Sequence, residues 1–279
     1  MLLRPRMVDR DTLVVDLAEP LRSLGTTVYG GGFRSIESVI FKHVDECMGD
    51  PISYAQGVAE RLGRPASAVF LTAANVGEYI YATRSNKNLV VEAIATIGLT
   101  HPACIGSERE ERELGGVGTI NIFLAINAGL SDIGLIDLFR SVSEAKAGLI
   151  ALLGLSCGGS VAVGTVSDAT VVASREGLER YAGLGTEVGH LAAMAILEIL
   201  RSHMGRRGPR DYIRYMGYRE DQRGRDQVLD VIGKRVLLLL NQISGVRLIP
   251  WISGDHFRKI YARIEEALKS LGDDYGKEV

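Results

Sequence analysis

The chain has 279 residues, 46% of them hydrophobic and 24% charged, with a formal net charge of −2. That profile excludes a disordered chain and leaves room for one large core or two small ones. The near-neutral balance argues neither for nor against an acidic partner. Arginine supplies most of the 32 basic residues, a bias that suits carboxylate or phosphate recognition but also follows from genomic base composition.

Cys47, Cys104 and Cys157 are far apart and form no C-x-x-C pair, so neither a zinc knuckle nor a disulfide framework is expected. The opening MLLRPRMVDRD carries charge within ten residues and lacks a signal-type apolar core. The most apolar run, 236–240, is far too short to span a bilayer. A cytoplasmic protein without a membrane partner is the expectation.

In chain order, 11–17 and 26–30 are β-rich, and the second ends in Gly30, Gly31 and Gly32. A helix is predicted from Ser53 to Leu62, closed by Gly63. Three β-prone runs follow at 67–74, 78–84 and 88–99, and their close spacing predicts antiparallel neighbours. The next strand candidate, GGVGTINIFLAIN (115–127), has an apolar even face of Ile120, Ile122, Leu124 and Ile126. Its odd face holds Thr119, Asn121, Phe123, Ala125 and Asn127, without the Lys or Glu that a solvated face usually carries.

A helix starting at Ser131-Asp132 should run to about Leu153. At 100° per residue, Leu135, Leu138, Phe139, Val142, Leu149 and Leu153 make its apolar stripe. Lys146 falls in the middle of that stripe, while Glu144 falls opposite, with Asp137 and Arg140. Glu144 reads as an i,i+4 partner of Arg140 on a solvated face. An ammonium on an apolar stripe needs a partner, a lowered pKa or a route to water, so Lys146 is either a site residue or a side chain that snorkels.

Residues 161–174 predict one strand, or a pair bent near Ser167-Asp168. There Gly164 permits a close approach by backbone or ligand. Thr165, Ser167 and Asp168 form either ordinary turn chemistry or a second cluster of small polar groups. A helix over 187–203, with Thr186 as cap, sets Glu187, His190, Glu198 and Arg201 opposite Ala192, Ile196, Ile199 and Leu200. Glu187 and His190 could orient each other as a general base pair, though an exposed polar face with a coincidental His is the favoured reading. The other histidines show no ligand spacing, and no metal is expected. Beyond 205 the sequence turns Arg- and Tyr-rich, with helices predicted near 226–243 and 254–271.

Seven segments together resemble the adenosylcobinamide amidohydrolases of corrinoid salvage. They are PLRSLGTTVYGGG (20–32), FLTAANV (70–76), TIGLTHP (96–102), GTINIFL (118–124), SEAKAGLIALLG (143–154), VGTVSDATVVAS (163–174) and YAGLGTEVG (181–189). They keep the family's order over roughly residues 13–205. Two departures stand out: Gly25-Thr26-Thr27-Val28 where that family has Ser-Ser-Ala, and Val166-Ser167 within its Thr-Gly-Thr-x-Thr-Asp pattern.

The fold expected is α+β, a mainly antiparallel or mixed sheet packed with long helices over 1–205, plus a C-terminal helical extension over 206–279 on the same domain. The resemblance implies cleavage of the aminopropanol amide of adenosylcobinamide, with a corrinoid-binding protein lacking hydrolase activity as the alternative. Neither cofactor nor nucleic acid is implied, and a homodimer is left open. Thr119, Asn121, Lys146, Thr165, Asp168 and Glu187 are the catalytic candidates. Gly30, Gly31, Gly32, Thr72, Ser167, Gly183 and Gly185 are the candidates for binding substrate; the catalytic candidates, Ser167 and the 30–32 glycines are expected around one groove poor in charge.

Overall fold

The computed structural model describes residues 1–44, 49–99, 102–105, 118–152, 156–157 and 160–206. All of these except Leu152 fall in one unit, Met1–Ala151 with Leu155–Gly217. A second unit takes Leu152–Gly154 and Tyr218–Val279. The helices expected near 226–243 and 254–271 therefore lie outside the described residues.

Eight strands build the main sheet. They are β1 (Leu3–Asp9), β2 (Thr12–Gly25), β3 (Gly32–His43), β4 (Ser67–Thr72), β5 (Ile80–Asn86), β6 (Leu89–Ile97), β8 (Ile120–Leu130) and β11 (Ala169–Glu176). The path is β4-β3-β2-β11-β8-β6-β5, with β1 paired to β2 off that path. A small second sheet orders β7 (Pro102–Cys104), β10 (Ser160–Thr165) and β9 (Ser156–Cys157) as β7-β10-β9. Three helices complete the described fold: α1 (Pro51–Arg61), α2 (Asp132–Leu152) and α3 (Glu187–Arg206). This is the mixed α+β architecture that the sequence predicts.

β2 is one long strand where a shorter one was expected. It pairs with β3 on one side, with a register shift between Asp16 and Leu21. On its other side it meets β1 along its first half and β11 along its second. Pro20, which cannot donate to a ladder, sits at the shift. Gly25 extends the strand because a Cβ there would stand 2.5 Å from Val171 Cγ2. Residues 26–30, expected as a strand, are instead the turn into β3, tied down by a bridge from Tyr29 to Val69.

The spacing argument holds for β5 and β6, which pair antiparallel. It fails for β4, which pairs parallel with β3 at one end of the sheet. The intervening α1 explains why: a helical crossover permits parallel pairing. Asp50 caps α1 by accepting from Ser53 N at 2.9 Å, so the helix begins at Pro51 and not at Ser53.

One face of the sheet gathers into a single apolar cluster. It contains Leu13, Val15, Val39, Phe41, Phe70, Ile94, Phe123, Ala125, Val171 and Ala173. Phe41 and Phe70 stack with ring centroids 4.5 Å apart. Strands distant along the path thus meet across the cluster, which requires the sheet to curl. α1 covers Val14, Ile40 and Val69 on the other face, while α3 packs against β5 and β6.

β8 lies between parallel β11 and antiparallel β6. Both of its faces are buried from Thr119 to Ile126. Phe123 and Ala125 of its odd face join the inner cluster, and Thr119 and Asn121 are buried too, so the missing Lys and Glu mark a doubly covered strand, not a wall of a groove. Cys104 departs from expectation as well: it is disulfide-bonded.

Candidate functional site

Asp168 closes the short turn that leaves β10 in the small sheet and enters β11 in the large one. Its carboxylate is met from three directions. Oδ1 accepts from Ile120 N at 2.9 Å and from the Thr165 hydroxyl. Oδ2 accepts from Thr165 N at 3.0 Å and from Lys146 Nζ at 2.5 Å. Four donors occupy the four acceptor positions of an ionised carboxylate. The side chains of Lys146 and Asp168 are only 14% and 11% exposed.

This answers the question raised by the α2 stripe. Lys146 does not snorkel; it crosses to Asp168. Gly164 makes the space, since a Cβ there would lie 2.3 Å from Asp168 Oδ2 and 3.0 Å from Lys146 Nζ. Glu144 behaves as the helical spacing predicts, accepting from Arg140 Nη1 at 2.8 Å on an exposed face.

A second layer of small polar groups surrounds the pair. Thr119 Oγ1 and Ser167 Oγ are 2.8 Å apart, and Ser167 Oγ also donates to Gly118 O at 3.2 Å. Thr119 is buried and Ser167 is exposed. Asn121, fully buried, donates from Nδ2 to Leu71 O at 3.0 Å and accepts from Ala169 N at 3.1 Å. That side chain ties the end of β4 to the start of β11. Thr72 joins the same region: its Oγ1 accepts from Ala74 N at 3.1 Å and lies 3.5 Å from Thr96 Oγ1.

Sequence reasoning missed Thr96, Gly98 and His43. Gly98 donates to Thr119 O at 2.9 Å, and the His43 ring reaches Ala74 O at 3.1 Å through Nδ1. The register of β6 on β8, which sets Thr96 opposite Asn121, was the signal available for Thr96. His43 sits at the end of β3 opposite Thr72, a pairing no local pattern reveals.

Gly30, Gly31 and Gly32 form the β2–β3 turn. Gly30 and Gly32 take φ of 74° and 73°, the left-handed region that glycine occupies at low cost. This turn follows Thr26, whose Oγ1 accepts from Thr170 N at 3.1 Å, so it lies at the same sheet edge as Asp168. A Cβ on Gly30 would collide with Ser67 O at 2.2 Å, so the turn is packed against β4.

Glu187, Gly183 and Gly185 belong elsewhere. Glu187 accepts from Asn86 Nδ2, in the β5–β6 hairpin, the end of those strands away from Ile120. Gly183 lies over Arg140 and Asp137, near the start of α2. Asp137 anchors that loop by accepting from Ala182 N at 2.7 Å. The Arg140 guanidinium, helped by backbone N–H groups, holds its carboxyl below the usual range. Thr186 caps α3 as expected, accepting from Gly189 N at 3.1 Å. Glu187 and His190 are both exposed. The thirteen candidates therefore divide into one group around Asp168, the glycine turn at its edge, and a separate group at the start of α3.

Among the described residues, no cluster of three His, Cys, Asp or Glu side chains is placed to hold a metal ion, and no helix is long and apolar enough to cross a membrane.

No curated protein matches the sequence. Among solved structures, the PH0078 protein of Pyrococcus horikoshii OT3 is similar at 13% identity, covering 70% of this chain and 78% of its own, with a TM-score of 0.32. The family profile described as adenosylcobinamide amidohydrolase matches residues 3–208, which include every described strand and helix and the whole cluster around Asp168. On that match, the chain belongs to the adenosylcobinamide amidohydrolase family.

Proposed function

We propose that this protein hydrolyses the amide joining the aminopropanol arm to the corrin ring of adenosylcobinamide, releasing adenosylcobyric acid. One observation carries the reading beyond family membership: the largely buried Lys146–Asp168 pair, with the Thr165 hydroxyl on the same carboxylate. Burying two charges is costly even when they are paired, and a pair of apolar side chains would serve packing as well or better. Three family segments converge on this one carboxylate: 118–124 through Ile120, 143–154 through Lys146 and 163–174 through Thr165 and Asp168.

Amide hydrolysis requires a nucleophile, a proton acceptor for it, donors for the oxyanion and an acid for the leaving amine. In this proposal Thr165 Oγ attacks the carbonyl carbon, and its proton passes along the existing hydrogen bond to Asp168 Oδ1. The tetrahedral oxyanion collapses as the C–N bond breaks, and the Lys146 ammonium supplies the proton that the departing amine takes up. The ester left on Thr165 is cleaved by water, which gives the acid and returns the hydroxyl. Ser167, exposed beside the turn, offers substrate a further hydroxyl for binding. Glu187 takes no part in this scheme.

The test is incubation with adenosylcobinamide, followed by chromatography for adenosylcobyric acid. Product formation supports hydrolysis. Ligand that binds and is recovered intact after long incubation supports the corrinoid-binding alternative instead.

A further inference from the structure

Thr119 and Asn121 take no part in the chemistry above, yet both hold the turn that carries it. The β8–β11 ladder begins where Asn121 stands opposite Ala169. Side chains continue it past the strand ends in the same register. Asn121 Oδ1 accepts from Ala169 N at 3.1 Å, Ile120 N donates to Asp168 Oδ1 at 2.9 Å, and Thr119 Oγ1 lies 2.8 Å from Ser167 Oγ. Three consecutive residues of one segment grip three consecutive residues of the other, each pair 48 positions apart.

The outermost grip has a fixed direction. A hydroxyl has one proton and two acceptor positions. Gly118 O can only accept, so the Ser167 proton goes there, at 3.2 Å. The proton between the two hydroxyls is therefore that of Thr119. Ser167 Oγ accepts from Thr119 and donates to Gly118, which leaves it one acceptor position and no proton to offer. Thr119 is 2% exposed, whereas Ser167 lies at the exposed tip of the turn. A buried residue thereby sets the polarity of a surface one.

We infer that Thr119 is a positioning residue for substrate: it fixes Ser167 Oγ as an acceptor for an N–H of a peripheral carboxamide of the corrinoid. This rests on the reading above, that the corrinoid binds at the Asp168 turn. Primary carboxamides surround the corrin ring of adenosylcobinamide, and each carries two N–H donors. A carboxylate in the same place has none and sets oxygen against oxygen. Val166, next to Ser167, is 67% exposed, so the tip stands clear for a large ligand.

Affinity for adenosylcobinamide, read by titration calorimetry, tests the positioning without relying on turnover. Thr119→Val keeps the shape and loses the proton; it should weaken binding about threefold to tenfold, the scale of one neutral hydrogen bond. Thr119→Ser should recover most of that loss. Ser167→Ala should weaken binding similarly, and adding Thr119→Val to it should cost nothing further. Losses that multiply in the double variant overturn the inference, because Thr119 then acts on something other than Ser167. Where turnover is measured, Thr119→Val should raise KM more than it lowers kcat.

The polarity is tested at the surface residue alone, with no change in the core. The probe is adenosylcobinamide with a single peripheral carboxamide converted to carboxylate, one isomer at a time. One isomer should bind the unaltered protein at least about tenfold more weakly than the amide, and Ser167→Ala should close most of that gap. If no isomer's gap narrows in Ser167→Ala, the inference fails. The expected affinities in a protein that forms no product uphold the inference and count against hydrolysis alone. A protein that binds no corrinoid overturns both.

Discussion

Lys146 Nζ stands 2.5 Å from Asp168 Oδ2, and the two charges are nearly enclosed. Removing one partner strands the other in a site water scarcely reaches. Lys146→Met or Asp168→Leu alone should therefore destabilise the fold by about 3 kcal/mol, whereas the double variant should lose clearly less than the sum. Urea unfolding of all four proteins measures the coupling. Additive losses would show that the pair contributes nothing as a pair.

Gly164 is the residue whose smallness lets that pair form. Gly164→Ala places a methyl group 2.3 Å from Asp168 Oδ2, so the carboxylate or β10 has to shift. Turnover should fall at least about 100-fold, the scale of losing an acid–base group, while the circular dichroism of the sheet is kept. Near-normal turnover in a folded Gly164→Ala protein would remove the pair from the reaction.

The Thr165 hydroxyl separates nucleophile from scaffold. Thr165→Ser keeps an oxygen in place to bond Asp168, and should retain measurable turnover. Thr165→Val keeps the shape but not the oxygen, and should lose activity by at least about 100-fold in kcat. Equal activity in the two variants points to water as the attacking group. Ser167→Ala, which removes a hydroxyl outside the Asp168 bonds, should raise KM more than it lowers kcat.

Several of these positions were legible in the sequence, and the reasons differ. Helical periodicity separated Lys146 from Glu144 correctly, because the 100° step is local and survives any tertiary arrangement. Gly164 was read as a close approach, and the close approach is real; which side chains it admits depended on α2 meeting the β10–β11 turn. Thr119 and Asn121 were flagged for the right oddity, an uncharged face, but were assigned to a groove. Only the folded sheet, which gathers Phe70 and Phe123 into one cluster and buries Thr119 and Asn121, shows that face to be enclosed. Glu187 and the 183–185 glycines looked like site residues because helix starts and glycine loops suit anions. Their distance from Asp168 depends on strand direction, which residue type does not encode. The parallel partner of β4 was hidden for the same cause: the pairing joins β4 to a strand on the far side of α1.

The loop before α3 makes an acid-dependent prediction. Hydrogen bonding to Arg140, the largest cause, lowers the Asp137 pKa from its ordinary 3.8. A group depressed in the folded state contributes stability above its unfolded value and loses it as pH falls through the folded one. Stability should decline below about pH 4, and Asp137→Asn should flatten part of that decline by removing the titrating group. Urea midpoints from pH 6 to pH 3 measure it, and an unchanged slope in the variant would contradict the assignment.

The central claim is that adenosylcobinamide is cleaved at the Lys146–Asp168–Thr165 cluster. The most direct measurement is a time course of adenosylcobyric acid formation by the intact protein beside Asp168→Asn, which keeps the shape of the side chain and removes its charge. The account predicts steady product from the first and at least about a 100-fold slower appearance from the second, with corrinoid binding retained by both. Equal rates from two folded proteins would contradict it, as would binding without product in either.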